Sequence, residues 1–137
     1  MIVLPEGCLT GNALADPRKQ AVLPCDPGAF GDISRVAAGE GITICAGFAT
    51  SMGELFNVVQ GVFEPSGKVL FQHKAFRAKT EPAFLAAWPD ESRISFEVTG
   101  VRLAIAICSE FGSAGIPAAM SRVAPEVILH PSAGHVK

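Results

Sequence analysis

Short apolar runs, each closed by Gly, Pro or a charged side chain, alternate along this chain with two stretches in which apolar residues recur at helical spacing. Residues 1–5 read as a short buried strand. Residues 7–27, rich in Gly and Pro, read as mostly irregular, with helical character near Arg18 to Leu23. A loop of that length in a compact domain is often functional, which makes it a candidate wall for a substrate pocket. From Gly28 onward Phe30, Ile33, Val36 and Ala37 repeat at helical spacing, with Asp26 or Pro27 as entry signal and Gly39 and Gly41 as exit. Residues 42–48 predict a buried strand, 56–64 another, and 68–74 its hairpin partner across the turn Pro65-Ser66-Gly67. Residues 80–88 are compatible with a short helix or an ordered loop. Strands follow at 94–98 and 101–108, then a helix over about 116–123 and a strand at 127–130. Helix and strand signals alternate while a hairpin interrupts them, so the expected class is α/β, with a mixed sheet layered by helices.

Bulk properties narrow the field. At 137 residues the chain fits one domain, and a chain of this size buries roughly two-thirds of its unfolded surface. Its 49% hydrophobic and 18% charged content describes a globular protein. A net charge of −2 provides no basic patch, so nucleic acid is not an expected partner. No apolar stretch approaches the roughly 20 residues that cross a bilayer, and Met1 opens directly into Ile2-Val3-Leu4-Pro5-Glu6, so a cytoplasmic, non-membrane protein is expected. Cys8, Cys25, Cys45 and Cys108 contain no C-x-x-C pair and sit in dissimilar contexts, which argues against a zinc site or a disulfide framework and suits a reducing compartment.

Three strand ends carry the chemistry. The apolar run Leu103-Ala104-Ile105-Ala106-Ile107 stops at Cys108 and turns into a small-residue, helix-like segment. A buried strand fixes a sulfur in space, and the free N–H groups of a following helix favour thiolate over thiol. Leu4-Pro5-Glu6 ends another apolar run on a carboxylate, and Val69 to Lys74 ends a third, strand-like run on an amine. Carboxylate, amine and thiol together could serve as proton acceptor, oxyanion stabiliser and nucleophile.

The order and surroundings of these groups resemble the nitrilase superfamily of carbon–nitrogen hydrolases. The matching segments are Leu4-Pro5-Glu6 with Thr10-Gly11 soon after, Asn57 ahead of the Glu64-Pro65-Ser66-Gly67 turn, the strand to Lys74, Gly100 to Cys108, and Val127 to Ala133. The resemblance implies two packed sheets with helices outside, an αββα sandwich, of which this chain holds part. Residues 1–137 then form one carbon–nitrogen hydrolase-like domain, apparently truncated, lacking the family's first strand and helix and its C-terminal half. It also implies the roles. Cys108 is the nucleophile that attacks an amide, nitrile or carbamoyl carbon and passes through a thioester. Glu6 is the general base, Lys74 steadies the oxyanion together with the backbone N–H of Ser109, and Glu81 is the nearest match to a second glutamate that positions substrate. The words around Lys74 depart from pattern, with Gln72-His73 before it and Ala75-Phe76 after, and Ser109-Glu110 keeps an acid after the nucleophile while Pro117-Ala118 lacks a later one.

Neither cofactor nor metal is implied, and the expected partners are a small amide or nitrile substrate and further copies of the chain. Sheet edges and an apolar face left uncovered by absent strands would favour self-association, so a catalytically incompetent structural or oligomerising module is the alternative reading. A cysteine–histidine site is a further option, with His73, His130 and His135 available, none of them in a recognisable local signature. Cys45 reads as core packing.

Overall fold

The computed structural model describes residues 1–11, 19–77, 79, 81–89 and 93–133. Strand β1 (Ile2–Val3) runs parallel to β2 (Ile44–Met52), which forms an antiparallel meander with β3 (Leu55–Phe63) and β4 (Val69–His73). A second sheet pairs β5 (Ser95–Val98) antiparallel with β6 (Val101–Ile105), and β6 parallel with β7 (Val127–Leu129). Helix α1 (Gly31–Glu40) and helix α2 (Ile116–Val123) complete the regular elements among the described residues.

Alternation of side chains along each strand builds four layers, because successive residues of a strand face opposite sides of its sheet. Cys45, Val58 and Val62 from the first sheet meet Phe96, Leu103, Ile105 and Ile107 from the second in the central core. The opposite face of the first sheet, with Ile44, Ala46, Phe48, Val59 and Phe63, packs against Phe30 and Ala37 of the α1 unit. Ala104 and Ala106 on the outer face of the second sheet receive Ile116 and Met120 of α2. The order is therefore α1, sheet, sheet, α2, the layered α/β sandwich expected from the sequence.

Most predicted elements are present, with instructive shifts. Asp26 accepts a hydrogen bond from the Gly28 N–H and opens a 3₁₀ turn at Pro27–Phe30 that leads into α1, while Gly41 closes the helix at φ +63°. α2 occupies the predicted span. β1 is a strand but not a buried one: Ile2 is 46% and Val3 39% exposed, since only β2 flanks it. Instead of one hairpin there are two in succession, the first turning at Gly53, whose φ of +66° a glycine adopts freely. Residues 81–88 form a loop rather than a helix, held to the sheet by a bridge between Leu85 and Phe56. The long loop after Glu6 is not helical at residues 20–23; its middle, residues 12–18, lies outside the described residues. Its described ends lie along the open edge of β2, where the Leu9 N–H donates to Gly47 O and the Leu23 N–H to Ala49 O.

Candidate active site

Each of the three expected side chains is delivered by a distinct backbone device. Glu6 sits in the tight turn after β1, and that turn lies directly on Gly47 of β2. A Cβ at position 47 would come within 2.6 Å of Pro5 O and 2.7 Å of Gly7 N, so only glycine lets the turn approach. Gln60 completes the seat by donating from Nε2 to Leu4 O at 3.1 Å. Lys74 follows the last residue of β4, and its backbone is gripped on both sides: its N–H donates to Val58 O, and its carbonyl accepts from Trp88 N–H and from Asn57 Nδ2 at 2.9 Å. The same Asn57 amide reaches Ala86 O at 2.9 Å, so one buried side chain ties the β4 end to the 81–88 loop. Cys108 sits beyond β6 with φ +47°, a left-handed conformation uncommon for a residue with a Cβ, and one that clusters where surrounding contacts over-determine the backbone.

These devices bring the groups together. Lys74, only 3% exposed, donates from Nζ to Glu6 Oε1 at 3.0 Å and also to Glu81 Oε1. Ser109 Oγ donates to the same Glu81 oxygen at 2.9 Å, so Glu81 bridges the amine and the turn that carries the thiol. Burial alone would pull the Lys74 amine down, but the charges of Glu6 and Glu81 outweigh it and hold it above its ordinary range, fully cationic at neutral pH.

The thiol is tuned in the opposite sense from the sequence expectation. The segment after Cys108 is a five-residue 3₁₀ turn, Cys108–Gly112, and α2 begins only at Ile116, so no α-helix dipole bears on the sulfur. Burial pushes the Cys108 thiol up; Ser132, donating from Oγ at 3.3 Å, pulls it down, Glu6 pushes it up, and Lys74 opposes Glu6. The net shift is upward, which leaves the group protonated at neutral pH beside a carboxylate that can take its proton. Site-resolved alkylation of Cys108 with iodoacetamide is therefore expected to keep accelerating as pH rises beyond the ordinary thiol range, because the reactive thiolate accumulates only there. A rate already level at pH 7 contradicts this.

One residue behind the site, visible in the sequence only as an acid two positions after Cys108, organises it. Glu110 is fully buried, and its carboxylate accepts from the N–H groups of Ala75 (2.7 Å), Phe76 (3.1 Å) and Ile107 (2.8 Å) and from both terminal nitrogens of Arg93. It thereby ties the backbone just after Lys74 to the backbone just before Cys108. Arg93 carried no signal in the sequence, since an arginine ahead of a strand usually reads as a solvated charge.

The histidines do not support a cysteine–histidine pair. His73 stacks on Trp88 at 3.8 Å between ring centroids and bonds to Asn57 Oδ1. His130 contacts the Cys108 carbonyl rather than its sulfur. His135 lies outside the described residues. Cys45 is buried and its thiol is pushed up to about 12 by desolvation, which matches core packing. Among the described residues no group of His, Cys, Asp and Glu side chains could hold a metal ion, and no helix is long and apolar enough to cross a membrane.

No protein-family model and no curated protein matches the chain by sequence. Solved structures do match by fold. Nit3 of Saccharomyces cerevisiae, a member of branch 10 of the nitrilase superfamily, superposes with a TM-score of 0.76 at 17% identity, over 99% of this chain and 52% of that one. An amidase of the nitrilase superfamily from Nesterenkonia AN1 gives 0.70 at 15%, over 98% and 53%. The glutamine-dependent NAD+ synthetase of Acinetobacter baumannii gives 0.71 at 16%, over 99% of this chain and 26% of its own. The chain spans about half the length of the first two and about a quarter of the third. Its architecture is thus the αββα fold of nitrilase-superfamily proteins, shared over nearly all of its own residues.

Proposed function

We propose that the chain is a nitrilase-superfamily member whose Glu6, Lys74 and Cys108 form a thiol hydrolase site for a non-peptide carbon–nitrogen bond of an amide, nitrile or carbamoyl group. The observation that carries this reading is the convergence of three side chains from three strand ends, with Lys74 ion-paired to Glu6 and both charges acting on the Cys108 thiol. The shared fold with an amidase supports the same class.

For an amide the steps follow from the positions. Glu6 takes the thiol proton as sulfur bonds to the carbonyl carbon, and the carbonyl π electrons move onto oxygen. Lys74 Nζ and the Ser109 N–H stabilise that oxyanion, a contribution worth about 10²–10³ in rate per donor. Collapse breaks the C–N bond, and the amine leaves with the proton held by Glu6. Water then gives a proton to Glu6 and attacks the thioester, and the thiol departs reprotonated. Glu81, held by Lys74 and Ser109, would position the substrate.

A second reading rests on the apolar strand edges: Ile2 and Val3 on β1, and Val127 and Ile128 on β7, are all exposed. A structural module that joins copies through those edges would use them directly. One experiment separates the two. Incubation with simple amides and nitriles, acid quench and mass mapping is expected to trap an acyl group on Cys108, absent in Cys108→Ala. A chain that never acylates, and that sediments only as an oligomer, supports the second reading.

A further inference from the structure

The three residues that follow β7 hold all three polar atoms of the nucleophile. The Cys108 N–H donates to Pro131 O at 2.9 Å, the Cys108 sulfur accepts from Ser132 Oγ at 3.3 Å, and the Cys108 carbonyl contacts His130 Nε2 at 2.7 Å. A carbonyl oxygen only accepts, so this nitrogen of His130 carries the hydrogen. The imidazole is itself held in place, stacked on Phe111 with ring centroids 4.9 Å apart and planes 27° apart.

The Cys108 carbonyl belongs to the peptide unit whose N–H is that of Ser109. No peptide bond among the described residues is cis, so this unit is planar and trans, with its C=O and N–H pointing in opposite directions. Pinning the oxygen fixes the direction of the N–H. A hydrogen bond accepted at the oxygen also polarises the amide and makes its N–H a stronger donor. The left-handed φ of Cys108 makes this pinning consequential, because a backbone in a sparsely populated region relaxes when a restraining contact is lost.

We propose that His130 is a positioning residue for the oxyanion site: through the Cys108–Ser109 peptide it orients and polarises the Ser109 N–H that receives negative charge during acyl transfer. The proposal rests on the hydrolase reading above and extends it to a residue that touches neither substrate nor sulfur. It also accounts for a histidine beside the nucleophile that does not act as its base.

Two reactions of the same sulfur separate orientation of the peptide from general integrity of the site. Acylation by p-nitrophenyl acetate forms an S–C bond, places the carbonyl electron pair on oxygen, and then breaks the ester C–O bond to release p-nitrophenolate, with the thiol proton passing to Glu6. It needs the oxyanion donor. Alkylation by iodoacetamide displaces iodide at a saturated carbon and builds no oxyanion. Both are followed at Cys108 by peptide mass mapping in the whole chain.

His130→Phe keeps a ring on Phe111 and removes the donor; its acylation is expected to fall about 10- to 100-fold while alkylation stays at the parental rate. His130→Gln, which returns an N–H near the same place, is expected to recover most of the acylation. Should His130→Phe not fold, His130→Met makes the same comparison without a ring. Parental acylation in the donor-less variant, or equal loss of acylation and alkylation, overturns the proposal while leaving the hydrolase reading standing. A parent chain that acquires no acetyl group on Cys108 overturns both.

Discussion

Lys74→Met is expected to reduce acylation of Cys108 by at least about 10²–10³, the typical cost of losing one oxyanion donor, and to destabilise the fold at the same time. Nζ is the cation between Glu6 and Glu81, and both the amine and Glu6 are buried. Removing it leaves two carboxylates facing each other in a site with little water. Breaking a buried pair by deleting one partner costs about 3–5 kcal/mol. Urea unfolding midpoints of parent and variant read this loss of stability directly. A variant as stable as the parent, or one that acylates at the parental rate, contradicts the proposed role.

Glu110→Leu is expected to be the most destabilising single change at a residue that never meets substrate. The substitution strands the guanidinium of Arg93, itself buried, and deprives three backbone N–H groups of their acceptor. An uncompensated buried charge with orphaned donors places the loss at about 3–5 kcal/mol, which corresponds to a fall of roughly 10–20 °C in thermal midpoint for a chain of this size. The tether between the Lys74 and Cys108 backbones goes with it, so activity is expected to drop even below the melting transition. Adding Arg93→Met removes the stranded charge and is expected to return part of the stability without returning the activity, because the backbone tether is still missing. Calorimetry beside the Cys108 acylation assay tests both halves. If the double variant is less stable than Glu110→Leu, the buried charge is not the source of the loss.

How far the site was legible depends on which side of each residue carried the signal. Glu6 and Cys108 follow apolar runs and Lys74 closes a strand-like one, and a change to a charged or thiol side chain at such a place is visible in one dimension. Glu81 is a candidate only through the family resemblance, by its place after Lys74. Arg93 and Asn57 were not legible as organisers, since their work is to satisfy backbone groups far away in sequence: Asn57 holds the carbonyls of Lys74 and Ala86, and Arg93 holds Glu110. The acidity of Cys108 differs from the sequence expectation for a related reason. A run of small residues after a strand looks like a helix start, but the backbone closes into a 3₁₀ turn first, and burial with a neighbouring carboxylate sets the thiol instead.

Local pattern by itself determined the α/β class, the span of α2 and the β3–β4 hairpin, and singled out Glu6, Lys74 and Cys108 as candidates, because periodicity and turn chemistry act over a few residues. Only the tertiary structure decided that β1 is an exposed edge, that Glu110 ties the Lys74 and Cys108 backbones together, and that His130 meets a carbonyl instead of a sulfur. Those outcomes depend on which distant backbone groups are left needing a partner once the layers have packed, and no window of neighbouring residues contains that information.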